Sequence, residues 1–279
     1  MTEAGDPRLT LARRGLASAA SEGWFVAEHY RPTVAMSPRA GAAAMRARAD
    51  AQAEQCDELV FGEVFEVLEV EDGWAFGQAS RDGYVGWVEA AALVPARVDP
   101  PSHWVRAPRT VALAEPSARA AALLPLPMNA LVRVEAEADR FARVAGAGWV
   151  ARSHLAGFAE FEPDPAAVAS RFAGAPYQWG GRGLVGIDCS GLVQAALFAC
   201  GHGCPRDSDQ QAGLGEPVER ADLRRNDLAC WPGHIGLMLD GERLIHASGL
   251  QMAVVTEPLE DALAARPGPA RFVRPRLGP

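Results

Sequence analysis

Hydrophobic and polar positions first organise the chain between Leu59 and Val88. Leu59 to Val70 is rich in Val, Phe and Leu, with Glu63, Glu66 and Glu69 interleaved. Glu71-Asp72-Gly73 turns, Trp74-Ala75-Phe76 continues, Arg81-Asp82-Gly83 turns again, and Tyr84 to Val88 follows. Short apolar runs cut by Asp-Gly turns predict a small β-barrel, bounded at 41–98. The plan repeats over 99–160, where Ala130 to Val134, Phe141 to Val144 and Gly148 to Val150 are the expected strands. The ends repeat most clearly: Gly86-Trp87-Val88 with Leu93 matches Gly148-Trp149-Val150 with Leu155 at equal spacing. Residues 1–40 are mixed and form an N-terminal extension expected only to pack on a neighbouring domain. Pro95 to Pro101 and Glu162 to Pro165 break the pattern as linkers.

From residue 161 to 279 the period changes. Leu192, Val193, Ala196, Leu197 and Cys200 recur at steps of three and four, as one face of a helix does. Asp188 suits the N-cap and Gly201 the stop, so Cys189 falls in the first turn. There the helix dipole and free N–H groups favour a thiolate, the nucleophilic form. Shorter helical stretches are expected at Ala166 to Phe172, after Asp207 or Ser208, and in a polar-capped segment starting at Thr256-Glu257-Pro258-Leu259. Phe272 to Arg274 reads as a last strand.

A nucleophile needs a base, and two histidines follow in strand-like surroundings: His234 at the head of His234-Ile235-Gly236-Leu237-Met238-Leu239, and His246 in Arg243-Leu244-Ile245-His246-Ala247. Asp240-Gly241 between them is a hairpin signal. Side chains alternate faces along a strand. A two-residue loop would pair His246 with Ile235 and put the imidazoles on opposite faces. A three-residue loop, Asp240 to Glu242, pairs His246 with Gly236 and sets His234 on the same face at a diagonal of roughly 7–8 Å. A Cys-His-His arrangement therefore requires the odd loop, with Gly241 expected in a left-handed conformation.

Composition narrows the function classes. A formal net charge of −8 and the lack of a Lys/Arg-rich run argue against nucleic acid as a partner. The cysteines at 56, 189, 200, 204 and 230 are scattered, which is no disulfide framework. Cys200 is expected to be a buried, inert thiol. Cys200-Gly201-His202-Gly203-Cys204 offers three metal ligands without a second pair, so neither a metal nor a cofactor is expected. The start, Met1 to Arg8, has no basic segment leading into an apolar core, and no stretch is long enough to span a bilayer. The expectation is a cytoplasmic monomer.

Four pieces stand in order: Tyr177 to Gly181 (Tyr-Gln-Trp-Gly-Gly), Asp188 to Gln194 (Asp-Cys-Ser-Gly-Leu-Val-Gln), Gly233 to Gly236 (Gly-His-Ile-Gly) and Leu244 to Ala247 (Leu-Ile-His-Ala). Together they resemble the NlpC family of papain-like cell-wall cysteine peptidases, over roughly the last 115 residues. The Gly-Trp-Val ends of 41–98 and 99–160 resemble bacterial SH3-like domains. The resemblance implies an α+β chain: two small SH3-like β-barrels, then a papain-like domain with the Cys189 helix packed on an antiparallel sheet. It implies Cys189 as nucleophile, His234 as base and His246 as the orienting third residue, with Tyr177 lining the site and Trp179 in the core. The three-domain relatives resembled are γ-D-glutamyl-L-diamino acid endopeptidases. In them the residues matching Asp188 and Ser190 bind the substrate's free α-amino group. The first SH3-like unit adds a Tyr, here Tyr84, and an acid, with Asp57 or Glu58 as candidates. The implied substrate is a murein peptide, L-Ala-γ-D-Glu-diamino acid (diaminopimelate or Lys), cut at the γ-D-Glu bond during wall recycling. Trp231 and Pro232 are expected to narrow the cleft ahead of His234. Alternatives are an amidase or acyltransferase with the same triad, or a non-catalytic murein-binding protein.

Overall fold

A computed structural model describes residues 5–266 and 268–276. Residues 1–4, part of the stretch read for a leader, lie outside it. The chain forms two compact units: residues 1–103, 111–126 and 130–152, and residues 104–110, 127–129 and 153–279.

The first unit is built on a seven-stranded antiparallel sheet in the order 93–95, 34–38, 65–71, 74–79, 85–89, 42–46, 55–60. The strands expected around Leu59 to Val88 are present. One further strand, Val34–Pro38, lies ahead of residue 41 and pairs with both Phe65–Glu71 and Leu93–Pro95. The core holds Met45, Leu59, Phe65, Val67, Tyr84, Val88 and Leu93. The N-terminal extension folds as its own three-stranded sheet over residues 12–31 and is fastened to this barrel. Leu11 packs with Leu68, Phe76 and Trp87. The Arg13 guanidinium lies 4.5 Å from the Trp87 ring centre and 5.6 Å from that of Phe76, and also pairs with Glu69 and Glu71. A five-stranded sheet follows in the order 122–127, 109–113, 148–151, 141–144, 134–138.

The second unit carries a six-stranded antiparallel sheet in the order 215–217, 271–275, 228–231, 234–238, 243–248, 253–258. Its helices are α1 (Pro165–Ser170), α2 (Cys189–Ala199), α3 (Ser208–Gln211) and α4 (Leu259–Ala265). Helix α2 begins where expected: the Asp188 carboxylate accepts from the Gly191 N–H at 2.7 Å. It ends at Gly201, whose φ of +82 permits a bond from His202 N–H to Leu197 O and one from Gly201 N–H to Phe198 O. Every residue of α2 is buried, so it is the core of this unit rather than an amphipathic cover.

The hairpin has the odd loop. Leu237 faces Ile245 and Met238 faces Leu244, and Leu239 N–H donates to Arg243 O, leaving Asp240, Gly241 and Glu242 as the turn. Gly236 thereby falls opposite His246. Gly241 is not left-handed, contrary to expectation. The Asp240 carboxylate closes the turn instead, accepting from the N–H groups of Glu242 at 2.9 Å and Arg243 at 2.8 Å. All five cysteines are free thiols. Among the described residues no helix is long and apolar enough to cross a membrane.

The hairpin leaves no room at Gly236. A Cβ there would sit 2.7 Å from Leu244 Cδ1 and 3.1 Å from His246 Cβ. Gly236→Ala is expected to lower stability in urea unfolding by about 1–3 kcal/mol, the usual cost of overpacking a core.

Candidate active site

Three parts of the second unit meet at the start of α2. The loop 176–187 runs in along isolated bridges, Tyr177 beside Ile187 and Pro176 beside Ala253. It delivers Cys189 as the first residue of α2, and Cys189 is buried. The backbone N–H groups of Ile235, the residue after His234, and of Ser190 act on the Cys189 thiol and favour its thiolate. His234 Nε2 lies 2.8 Å from His246 Nδ1, with the rings edge-on at 84° and centroids 5.0 Å apart. The structure thus brings Cys189, the His234 strand and His246 to one place.

The approach to Cys189 is clamped by charge. Asp188 accepts from Arg206 through both oxygens, at 3.1 and 2.7 Å, and from Gly180 N–H at 2.8 Å. Ser190 Oγ donates to Asp188 and accepts from Arg206 Nη1 at 2.8 Å. Arg206 is 1% exposed. Below it, Gln211 Nε2 donates to the carbonyls of Ser190 and Pro205 at 2.9 and 2.8 Å. Asp188 and Ser190 flank Cys189 in the chain, and Arg206, which no local pattern singles out, engages both.

Electrostatics run against a resting thiolate. Burial, and then the Asp188 carboxylate, push the Cys189 thiol up to about 12. The Ile235 and Ser190 N–H groups and Arg206 oppose that shift without overcoming it. The expectation from the helix start alone is therefore corrected: desolvation outweighs the dipole. Burial, His246 and Arg266 bring His234 down to about 3, with Asp188 opposing. Burial and Arg266 bring His246 down to about 3 as well. At neutral pH the site holds a protonated thiol and two neutral imidazoles.

Tyr177 is half-buried, and burial with Cys189 and Asp188 raises its phenol above the ordinary value. Trp179, expected in the core, is 54% exposed. Trp231, expected to narrow the cleft, packs in a core cluster with Met238, Leu244 and Leu259. Tyr84 belongs to the first unit, where its ring packs in the barrel core, and Asp57 and Glu58 are buried on a strand of that barrel. Cys200 is buried, with its thiol pushed up to about 12. Among the described residues no group of three or more His, Cys, Asp and Glu is placed to hold a metal.

Two further side chains reach the histidines. Glu257 Oε1 lies 2.9 Å from His246 Nε2, and Arg266 Nη2 lies 3.3 Å from His246 Nδ1. In the sequence Glu257 belongs to the run Thr256 to Leu259, expected to start a capped segment. It closes the strand Ala253–Pro258 instead, opposite Leu244 and one diagonal step from His246. The alternation Ala253, Val255, Glu257 was the available signal.

Two measurements check this electrostatic picture. The folded histidines take up protons only near pH 3, and unfolded ones near 6.5, so the unfolded state binds more protons between these values. Stability should fall as pH drops from about 6.5 toward 3, seen as a falling urea midpoint, and fall less steeply in His246→Gln. Arg206→Met leaves a buried carboxylate without its cation and should cost about 3–5 kcal/mol in the same assay. Asp188→Asn combined with Arg206→Met should recover part of that loss.

Residues 174–266 match the NlpC/P60 family, and residues 45–93 match the bacterial dipeptidyl-peptidase Sh3 domain. The chain is 28% identical over 226 residues to the gamma-D-glutamyl-L-lysine dipeptidyl-peptidase of Bacillus subtilis, covering 71% of this chain and 75% of that protein. It is 36% identical over 106 residues to the peptidoglycan endopeptidase RipB of Mycobacterium tuberculosis, covering 32% of this chain and 44% of that one. Its fold is shared with an NlpC/P60 family protein from Bacillus cereus, at TM-score 0.72 and 18% identity, over 81% of this chain and 94% of that one. The chain thus carries an NlpC/P60 domain at residues 174–266, preceded by a bacterial SH3 domain at residues 45–93.

Proposed function

We propose that the protein is a cysteine endopeptidase that hydrolyses the γ-D-Glu to diamino acid bond of short murein peptides with a free N-terminal L-Ala. The general kind, an NlpC/P60 peptidoglycan peptidase, rests on the domain match and on peptidase-named relatives. The finer substrate is supported by the likeness to the Bacillus subtilis dipeptidyl-peptidase across most of the chain. The observation that carries the chemistry is the line from the Cys189 thiol to the His234 strand and on to His246 at 2.8 Å.

In this reading His234 takes the Cys189 proton as sulfur attacks the γ-carbonyl carbon. The oxyanion forms beside the N–H groups at the start of α2 and the Tyr177 hydroxyl. The C–N bond breaks as His234 returns its proton to the leaving amine, leaving a thioester. Water, deprotonated by His234, adds to the thioester, and sulfur leaves with that proton. His246 holds the His234 ring. Because the resting pair is neutral, proton transfer belongs to the attack itself rather than to a preformed ion pair.

Asp188 and Ser190 are the proposed partners of the substrate's ammonium. Their hold on Arg206 means that this carboxylate would serve two cations at once. Residues 99–160 we read as a second SH3-like barrel, on the Gly-Trp-Val repeat and the five-stranded sheet, giving bounds of 1–40, 41–98, 99–160 and 161–279. A role in recycling wall fragments would place the protein in the cytoplasm.

The test is mass-spectrometric cleavage of L-Ala-γ-D-Glu-diaminopimelate, free and N-acetylated. Cutting of the free peptide alone, reduced at least about 10³-fold in Cys189→Ala, is the expected result. Cutting of both forms would leave the peptidase and remove the amine anchor at Asp188 and Ser190. Cutting of neither would overturn the peptidase reading.

A further inference from the structure

The imidazole of His246 is contacted at both nitrogens, and one of the partners can only donate. Arg266 Nη2 lies 3.3 Å from Nδ1, and a guanidinium has no acceptor. Nδ1 therefore carries the lone pair, and the proton of neutral His246 sits on Nε2, where Glu257 Oε1 accepts it at 2.9 Å. The tautomer of His246 then dictates that of His234. With His246 Nδ1 as acceptor at 2.8 Å, His234 must present its N–H at Nε2, which leaves His234 Nδ1 unprotonated. With Nε2 committed to His246, Nδ1 is the nitrogen of His234 left to take a thiol proton.

We propose that Glu257 and Arg266 are positioning residues that together fix the tautomers of His246 and His234, so that His234 Nδ1 is always the free base. This rests on the hydrolytic reading above only for its effect on rate; the tautomers themselves are set with or without substrate. The pair is held on several sides. Arg266 Nη1 lies 3.2 Å from Glu257 Oε1, Gln251 Nε2 donates to Glu257 Oε2 at 2.9 Å, and Arg266 Nη2 reaches Ser248 Oγ at 3.3 Å. The guanidinium also lies 5.7 Å from the Trp231 ring centre. Its cation and the Glu257 anion balance, so the carboxylate orients His246 without drawing a proton onto it. Remove Glu257, and His246 Nε2–H loses its acceptor while Arg266 loses the carboxylate that holds it at Nδ1, so the His246 proton is free to move to Nδ1. His234 Nε2 would then become the acceptor, and its proton would shift to Nδ1, where it blocks transfer from sulfur. Besides Arg266, the charged group that acts on His234 is Asp188, at the N-cap of α2 and paired with Arg206.

The experiment uses the full chain with ¹⁵N-labelled imidazoles and the peptidase assay in parallel, on wild type, Glu257→Ala, Glu257→Gln and Arg266→Met. In wild type both histidines should show the Nε2–H tautomer. Glu257→Ala should mix or reverse the tautomers and lower kcat about 10- to 100-fold, with KM within about twofold, the range typical of lost outer-layer partners. Glu257→Gln can still accept from His246 and should restore the wild-type tautomers and most of kcat. The two charge changes should move the His234 titration in opposite directions: down in Glu257→Gln, which leaves the cation unbalanced, and up in Arg266→Met, which leaves the anion. An Nδ1–H form in wild type, or wild-type tautomers and kcat in Glu257→Ala, overturns the proposal. Should Glu257→Ala not fold, titrations unmoved in both of the other variants do the same. Correct tautomers in a protein that cuts no peptide would sink the hydrolytic reading and leave this one standing.

Discussion

The buried ion pair between Asp188 and Arg206 is the constraint on which the second unit's chemistry depends. A carboxylate taken out of water must be paired and fully hydrogen-bonded, and here Arg206, Gly180, Ser190 and Gly191 all serve it. Those contacts tie the glycine loop, the first turn of α2 and the Pro205 segment to one point. Cys189 has no freedom to wander because both of its neighbours are fixed. The same carboxylate is a cost to reactivity, since it raises the Cys189 thiol, and Arg206 offsets that cost only in part. Fixing the Cys189 thiol and favouring its thiolate thus pull in opposite directions, and burial settles the contest for the protonated thiol.

That outcome shifts the work to the histidines. In the proposed mechanism His234, poised at about 3, is a weak resting base, and what it offers is geometry: Nε2 is held by His246, which leaves Nδ1 for a proton. The three-residue turn sets that geometry. It puts Gly236 opposite His246 and, with no side chain at 236, lets the two imidazoles close to hydrogen-bonding distance. A turn one residue shorter would place the rings on opposite faces of the sheet.

Features written in local period or spacing were legible in the sequence. The α2 helix with its Asp188 cap and Gly201 stop and the barrel strands follow from rules that act within a few residues, whereas the odd hairpin loop follows only from requiring both histidines on one face of the sheet. What escaped depends on distance along the chain. Arg206 lies 18 residues from Asp188, and Arg266 lies 20 from His246; nothing in their own surroundings marks them. Val34–Pro38 looked like part of a featureless extension because its partners are the strands at 65–71 and 93–95. The thiolate expectation failed for a different reason. A helix N-terminus acts at the surface scale of the dipole, but the depth at which Cys189 sits is a tertiary property that no local pattern records.

Gly241 carries the same lesson at the scale of one turn. An Asp-Gly pair suggests a left-handed glycine, but an aspartate can close a turn by itself when its carboxylate reaches the N–H groups two and three residues on. Arg243 then secures Asp240 from the far side, with Nε and Nη2 on Oδ2 at 2.9 and 2.7 Å. The turn that aligns the histidines is thereby held by side-chain bonds rather than by backbone strain. The loop length and the Asp240 bonds, more than the glycine, keep His246 in register with the strand that begins at His234.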